Sequence, residues 1–331
     1  MKQTRISQLL GIKYPIIQSA MIYVTSPEMV AAVSNTGGLG TLGLDATHKG
    51  RIRDPYEGAE WTRQQLRRVK SLTDKPFAMN ALRPAPWFSD KEITFSEQIL
   101  KVILEEKPPV VVMESETPEG YVDKIKAAGI KLLHHTLPIT VEAARRSEQL
   151  GADAIIAVGY EGGGMGKPDT PPTFVLVPEI VDAVKIPVIA GGGIMDGRGI
   201  AAALCLGAEG VYMGTRFMAT QECGVHPDIK QAVMEPGVKT VVVGDLVTRR
   251  LFKNPVTDRL MQMQAEGSGT ARERARILNH GLEFGLTGGD LENGCIACGA
   301  GVRAIKDIPS IAELMARLVR ETDAATAGLQ G

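Results

Sequence analysis

Two apolar runs that end in glycine, near the carboxyl end of the chain, are the residues best suited to bind a ligand. Residues 187–194 contain three consecutive glycines after the apolar run, and residues 211–217 contain a glycine followed by threonine. Glycine lets backbone N–H groups approach an anion closely, and a following helix adds the positive end of its dipole. The pattern predicts a phosphate site made by Gly191, Gly192, Gly193, Gly214 and Thr215. A flavin nucleotide and a sugar phosphate both fit such a site, and ordinary strand-to-helix turns are the alternative.

A second group of candidates lies at the ends of two earlier apolar runs. Ala20 and Met21 end residues 15–21, where small side chains would let a flat ring lie against the backbone. Asn80 ends residues 76–80, and its amide offers both a donor and an acceptor, as the pyrimidine edge of a flavin requires. The alternative for the first run is a plain strand end that turns toward Ser26.

Two adjacent histidines, His134 and His135, end the fifth apolar run. Side chains alternate along a strand, so one ring is expected to point into a barrel and the other outward. His135 is therefore a candidate proton donor in the site, and a purely structural histidine is the alternative. The loop that follows the next run, residues 159–166, is so rich in glycine that we predict a ligand-accommodating role for it rather than a packing role.

Cys295 and Cys298 form a CxxC pair. A zinc site would need a second pair, and no histidine has an acidic neighbour at metal-binding spacing, so we predict no metal. A redox pair would need exposed thiols with a lowered pKa. The remaining interpretation is two small thiols in a glycine loop near the site.

Eight short apolar runs alternate with segments of helical period, which is typical of parallel strands joined by helices. Eight such units fit a closed (β/α)8 barrel, the TIM barrel of the α/β class, better than an open sheet. In a barrel the carboxyl ends of all strands meet at one face, which would bring the candidate residues together. The runs are residues 15–19, 39–42, 77–80, 110–114, 131–135, 154–159, 187–190 and 210–214.

The regular alternation breaks after residue 218, where prolines and a Gly-Ser-Gly stretch interrupt the pattern. We predict a barrel domain of residues 1–218 plus 302–322, with residues 219–301 inserted as a lid over its mouth. Ser310 and Glu313 form a capping box that begins the last helix, and the small, polar tail after residue 322 is expected to fray.

Composition limits the remaining function classes. The chain has 331 residues, 44% hydrophobic content and a formal net charge of -1. That size allows a large core, and the charge gives no general attraction to nucleic acid or to a membrane surface. No apolar run approaches the ~20 residues that span a bilayer, and the amino terminus lacks a secretory pattern, so we expect a cytoplasmic enzyme with a small-molecule substrate. A monomer and a homo-oligomer both stay open.

The residues quoted above resemble the nitronate monooxygenase (2-nitropropane dioxygenase-like) flavoproteins, a family that also includes flavin-type enoyl-acyl carrier protein reductases and NADH:quinone reductases. The similarity runs from residues 15–21 through 37–40, 76–80 and 151–157, and is densest from residue 187 to residue 217. It implies a TIM barrel that binds FMN, with Ala20, Met21 and Asn80 around the ring. It also implies that Gly192, Gly193, Gly214 and Thr215 bind the phosphate, and that Glu161, Gly163 and Gly164 belong to the loop beside the flavin.

One position departs from the family pattern. Members commonly end the motif Glu-x-Gly-Gly with a histidine that serves as base or proton donor, whereas this chain has Met165. A preformed nitronate anion could still be oxidised without a base, but proton abstraction from a neutral nitroalkane would suffer. His135 or the Cys298 thiol would be the replacement proton carrier.

Three other functions stay open at this point. The first is an NAD(P)H-dependent flavin reductase of quinones or enoyl thioesters, which Met165 favours because it suits an apolar pocket. The second is a phosphosugar isomerase or synthase that uses the same glycine turns without a flavin. The third is a flavin-binding protein that has lost turnover.

Overall fold

Eight parallel strands form the centre of the molecule in the computed structural model, which describes residues 1–48, 50–84, 89–244 and 248–328. Each predicted apolar run overlaps one of these strands, and a further short strand, β7 (Gly164–Gly166), lies outside them. The eight are β1 (Ile16–Gln18), β2 (Thr41–Leu42), β3 (Ala78–Leu82), β4 (Val110–Ser115), β5 (Lys131–Thr136), β6 (Ala154–Val158), β8 (Val188–Gly191) and β9 (Gly210–Met213).

The sheet closes on itself. Strand β1 pairs in parallel with β9, with Ile16 opposite Val211. On its other side β1 meets the segment that leads into β2, where the Gln18 N–H donates to the Leu39 carbonyl at 2.9 Å. The remaining strands pair in sequence order, so the predicted α/β class and (β/α)8 barrel are confirmed.

Helices follow the strands as the sequence predicts. Ser26 and Thr140 accept backbone N–H groups at the starts of their helices, and Gly151 ends the second of these helices in a left-handed conformation. The helices are α1 (Arg5–Leu10), α2 (Pro27–Asn35), α3 (Pro55–Leu72), α4 (Asp90–Glu106), α5 (Val122–Ala127), α6 (Val141–Leu150), α7 (Thr173–Ala183), α8 (Gly197–Cys205), α9 (Thr215–Met218), α10 (Pro227–Ala232), α11 (Pro255–Ala265), α12 (Ala271–Gly288) and α13 (Ile311–Ala327).

The barrel interior is apolar below the strand ends. Inward residues such as Ile17, Val112 and Ile156 form one buried cluster. Ile6 and Leu10 of helix α1 join the same cluster, so this helix closes the amino-terminal end of the barrel. The opposite end, where the strands terminate, is left for a ligand.

Helix α13 supplies the eighth helix of the barrel, because it packs against α8 and α2. Ser310 caps it with the predicted capping box. The expectation that the tail frays after residue 322 was wrong, since the helix continues to Ala327. Alanine is the strongest helix former, and the Thr326 hydroxyl donates to the Thr322 carbonyl at 2.9 Å.

The segment predicted as an insertion contains helices α10, α11 and α12 and a hairpin of two strands, β10 (Thr240–Val243) and β11 (Thr248–Phe252). Strand β11 also pairs antiparallel with β7, which belongs to the glycine-rich loop after β6. The hairpin is therefore attached to that loop by a three-stranded sheet. The boundaries at residues 219 and 301 stay a prediction.

No described helix is both long enough and apolar enough to cross a bilayer. In the same ranges no group of histidine, cysteine, aspartate and glutamate side chains is arranged to hold a metal ion.

His134 is expected to make the protein sensitive to acid. Its ring is fully buried, with Nδ1 2.7 Å from the Ser147 Oγ and Nε2 2.9 Å from the Ser115 Oγ. Burial, followed by the charge of His135, lowers the pKa of His134 from 6.5 to about 3. Because the unfolded chain takes up this proton below about pH 6.5 and the folded chain does not, stability falls as the pH falls from 6.5 toward 3.

The measurement is urea unfolding of wild type and His134→Gln at pH 7 and pH 5. From the linkage, His134 contributes a loss of roughly 2 kcal/mol between these conditions, which the variant should not show. Burial raises the pKa of Asp45 to about 6, so protonation of Asp45 stabilises the folded protein as the pH falls. This offsets part of the His134 effect in both proteins, and the contribution of His134 is therefore the difference between variant and wild type. His280→Gln, on the exposed side of α12, is the control, and equal pH dependence of all three proteins would contradict the prediction.

Candidate active site

A cavity of about 520 Å³ opens at the carboxyl ends of the barrel strands. It is lined by the ends of β1, β3, β4, β5, β8 and β9, by the glycine-rich loop, and by residues from β11 and α12. A volume of this size falls within the range of small-molecule sites, roughly 300–1,000 Å³. The strand-end candidates of the sequence therefore meet in one place, as a barrel requires.

The glycine turns form one end of the cavity. Gly192 and Gly193 have φ values of +96° and +72°, a left-handed conformation that favours glycine. A Cβ on Gly192 would lie 2.8 Å from the Thr173 Oγ1, so there is no room for a side chain. Gly214 and Thr215 line the same end, at the start of helix α9. Gly191 differs from these four, because it ends β8 and packs against Val158 outside the cavity lining.

Sequence reasoning missed a third glycine turn at this end. Gly299 and Gly301 also line the cavity, and the Gly299 N–H donates to the Thr215 Oγ1 at 2.8 Å. A Cβ on Gly299 would lie 2.8 Å from the Glu161 carbonyl oxygen. The signal in the sequence was the pair of glycines at 299 and 301, which directly follows the CxxC motif.

Polar side chains from four strands form a cluster at another part of the cavity. Asn80 Nδ2 donates to Glu114 Oε1 at 3.4 Å, and His135 Nδ1 lies 3.8 Å from the same carboxylate oxygen. Tyr212 completes the cluster, with its ring centroid 6.1 Å from that of His135. Of these, Asn80 and His135 were expected from the sequence. Glu114 was not among the residues predicted for the site, and Tyr212 gave no signal because it lies within an apolar run.

The Tyr212 hydroxyl holds the end of β1 in place. It accepts a hydrogen bond from the Ala20 N–H at 3.1 Å. Burial, and then the charge of Glu114, raises the pKa of Tyr212, so the phenol stays protonated. Ala20 and Met21 both line the cavity, in the region predicted to receive a flat ring.

The two histidines separate as strand alternation predicts. The His134 ring lies between the hydroxyl groups of Ser115 and Ser147. The His135 ring lines the cavity, and this residue is 9% exposed. His135 Nδ1 is covered by protein and has no hydrogen-bond partner among the described residues. Its polar contact with the cavity therefore falls to Nε2, and Glu114 is the group that would orient the ring.

The glycine-rich loop is more tightly packed than the sequence indicates, and the expectation that its glycines serve no packing purpose was wrong. A Cβ on Gly162 would lie 2.5 Å from Val158, and one on Gly163 would lie 2.6 Å from the Cys298 backbone. Gly164, with φ +80°, has open space around it. Gly163 in particular has to be a glycine, because the backbone at residues 298 and 299 packs directly on the loop.

Glu161 of the same loop lines the cavity and also stabilises helix α7. Its carboxylate accepts the Thr173 N–H at 2.9 Å and the Thr173 hydroxyl at 2.7 Å. The carboxylate therefore satisfies a free N–H group at the amino terminus of α7. The helix and the glycine-rich loop are joined through this pair.

Cys298, a candidate proton carrier, packs in the apolar core and is 1% exposed. Burial raises the pKa of its thiol to about 12, and the residue does not line the cavity. Cys295 is fully buried as well, with a pKa raised by burial to about 11. Both are free thiols, as the interpretation of two small buried side chains expected.

Met165 faces Arg249 across the sheet that joins the loop to the insertion. The two residues are direct partners in the β7–β11 register, so their side chains point to the same face, and both line the cavity. An arginine at this position had no signal in the sequence, because only the pairing of the hairpin with the loop brings it to the site.

The cavity lies at the carboxyl ends of the barrel strands, where TIM-barrel enzymes have their active sites. Glycine turns at the last two strands and a carboxylate beside an imidazole line it, so the fold and the site are those of a TIM-barrel enzyme. The particular family follows from comparison of the whole chain. A sequence model of the nitronate monooxygenase family matches residues 3–321. The chain belongs to this family and is an oxidoreductase.

Individual relatives agree with this placement. A probable nitronate monooxygenase of Staphylococcus saprophyticus is 34% identical over 282 residues, covering 74% of this chain and 76% of that protein. Among solved structures, FabK from Thermotoga maritima has a TM-score of 0.88 at 34% identity, covering 100% of this chain and 99% of that one. A nitroalkane oxidase from Streptomyces ansochromogenes has a TM-score of 0.80 at 26% identity, covering 98% and 100%.

These comparisons confirm the family resemblance and remove the main competing class. A phosphosugar isomerase or synthase without a redox cofactor is not supported, since the family and its relatives are oxidoreductases. The individual reaction is a separate question, which depends on the cavity.

Proposed function

We propose that the protein is an FMN-dependent oxidoreductase of nitronate monooxygenase type, which oxidises nitronate-like anions with O2. The observation that carries this proposal is the presence of two complementary regions in one cavity. The left-handed Gly192–Gly193 turn lines one end of the cavity with backbone and no side chain, and Asn80, Glu114 and His135 line another part of it with polar groups. The first suits a phosphate and the second suits the polar edge of a ring or substrate.

The residues fit FMN in this arrangement. Backbone N–H groups of Gly192, Gly193, Gly214 and Thr215 would hold the phosphate, because glycine lets backbone groups approach an anion closely. Ala20, Met21 and Asn80 would lie around the ring, and Glu161, Gly163 and Gly164 would form the neighbouring loop. Bound FMN would supply two-electron transfer, which no side chain provides.

The chain's own groups favour an anion that is already ionised. Met165 can neither accept nor donate a proton, so the position that holds the base in related proteins is inert here. His135 is then the imidazole that can hold a proton at the cavity, and Glu114 orients it. A preformed nitronate needs no proton abstraction, which is why this substrate class suits the site best.

A second candidate is NAD(P)H-dependent reduction of quinones or enoyl thioesters. Its support is the apolar arm of the cavity that extends away from the glycine turns between α4 and α12. With Met165, this arm would receive an apolar acceptor. Its lining consists of Leu44, Leu82, Phe95, Ile99, Leu282 and Leu286.

The test is anaerobic reduction of the purified protein, followed through its visible spectrum. NADH, NADPH and propyl-1-nitronate are added to separate samples. Bleaching by the nitronate alone is the expected result. Bleaching by a nicotinamide nucleotide alone would favour the reductase, and a protein that carries no flavin and binds none would refute both candidates.

A further inference from the structure

Two consecutive arginines of β11 have different surroundings. Arg250 is satisfied on one face of the strand, where its guanidinium donates to the Tyr160 carbonyl at 3.0 Å and stacks on the Tyr160 ring at 4.6 Å. Arg249 points to the opposite face, beside Met165, and lines the cavity. In the described ranges no hydrogen bond or ion pair reaches Arg249.

The carboxylates that line the cavity with Arg249 have other partners, since Glu92 accepts hydrogen bonds from Ser89 and Asp45 accepts one from the Ile52 backbone. Glu161 accepts two hydrogen bonds from Thr173, and Glu114 is held by Asn80. Glu114 still lies close enough to favour the charged arginine, whereas burial lowers the pKa of Arg249. An arginine remains protonated at neutral pH even so, and the cavity therefore contains a cation without a bound counterion.

Arg249 is half-buried, and an unpaired guanidinium that has lost part of its water destabilises a folded protein, since that loss is compensated only by a partner. The protein nevertheless places this cation at the lid side of the ligand cavity, on a sheet that fixes the strand's register. The guanidinium has a planar fork of donors that matches a pair of oxygens on one atom. A ligand with two oxygens on one planar atom would therefore be the best partner for the Arg249 guanidinium.

We propose that Arg249 binds the planar two-oxygen anion of the substrate, a nitronate or a carboxylate, inside the cavity. It acts as a specificity residue that positions the anion, and Met165 beside it provides an apolar contact for the adjoining carbon chain. The identity of the reacting nitronate rests on the proposed function, but recognition of the anion does not depend on turnover.

The experiment measures binding of butanoate to the flavin-loaded protein by isothermal titration calorimetry. Butanoate has the planar two-oxygen group and a short chain but is not a nitronate, so binding is measured without turnover. Arg249→Met should weaken its binding by about tenfold or more, and Arg249→Lys should restore part of it as a monodentate cation. Arg250→Met, the neighbouring residue on the other face of the strand, is the matched control and should bind butanoate as wild type does.

Thermal unfolding without ligand separates recognition from a structural role. Arg249→Met should melt no lower than wild type, because it removes an unpaired, half-buried charge. Lost butanoate binding together with a clearly lower melting temperature would mark Arg249 as structural and overturn the proposal. Wild-type affinity in Arg249→Met, or no butanoate binding by wild type, would overturn it as well.

Steady-state kinetics with propyl-1-nitronate distinguish this inference from the proposed function. Loss of the anion contact should raise KM much more than it lowers kcat. If wild type fails to oxidise the nitronate but its butanoate binding depends on Arg249, the proposed reaction is wrong and the anion site stands. If nitronate is oxidised with an unchanged KM in Arg249→Met, the reaction stands and the anion site is wrong.

Discussion

Gly193→Ala is expected to lose stable FMN binding while the barrel remains folded. Gly193 has φ +72°, and a left-handed conformation costs a residue with a Cβ roughly 1–2 kcal/mol. Its added methyl would also lie 3.4 Å from the Glu161 Cβ, against the loop beside the cavity. Relief of either strain rotates the backbone N–H groups away from the phosphate. We expect the dissociation constant for FMN to rise about tenfold or more, which corresponds to ~1.4 kcal/mol.

The measurement is fluorescence titration of flavin-free protein with FMN. Gly151→Ala is the matched control, because Gly151 has φ +100° at the end of α6 and open space around it, with its nearest neighbour at 3.8 Å. Both variants carry the left-handed strain, but only one lies at the cavity. Equal losses of affinity in the two variants would show that general destabilisation, and not the phosphate turn, is responsible.

His135→Gln is expected to lower turnover of substrates that require proton transfer by about a hundredfold or more, within the range of general acid–base catalysis. The reason is that His135 is the imidazole at the cavity, with Glu114 3.8 Å from its Nδ1. Oxidation of a preformed nitronate should change much less, since that anion has already lost its proton. The measurement is kcat for propyl-1-nitronate and for neutral 1-nitropropane at the same pH.

His226→Gln is the control for a histidine outside the cavity, at the start of α10. Glu114→Gln should show a smaller loss than His135→Gln and should alter the pH profile, because it removes the group that orients the ring. Unchanged turnover of both substrates in His135→Ala would exclude the histidine as proton carrier. Cys298→Ala then remains as the test of the thiol, which its burial disfavours.

Most of the scaffold could be predicted from local patterns. Ser310 caps helix α13 where it was expected, because capping depends on a hydrogen bond between residues three apart. The strands were located because buried parallel strands are short and apolar. Gly192 and Gly193 were recognisable for the same local reason, since their left-handed turn requires glycine.

The parts of the site that depend on distant pairing were not predictable in this way. Arg249 and Met165 are separated by 84 positions and meet only because β11 pairs with β7. The packing need of Gly163 arises from the Cys298 backbone, which comes from the far end of the insertion. The Tyr212 hydroxyl meets the Ala20 N–H only because the barrel closes β9 against β1.

The sequence by itself therefore determined the barrel and the glycine turns, because local hydrogen bonding and apolar periodicity specify them. It indicated the family through the similarity of its motifs. The tertiary structure decided which polar groups share the cavity: His135 rather than His134, Glu114 among several acidic residues, and Arg249 from the insertion. It also placed Cys298 in the core and away from the chemistry. The physical reason is that side-chain proximity in the site follows from strand register and chain closure, which no local pattern encodes.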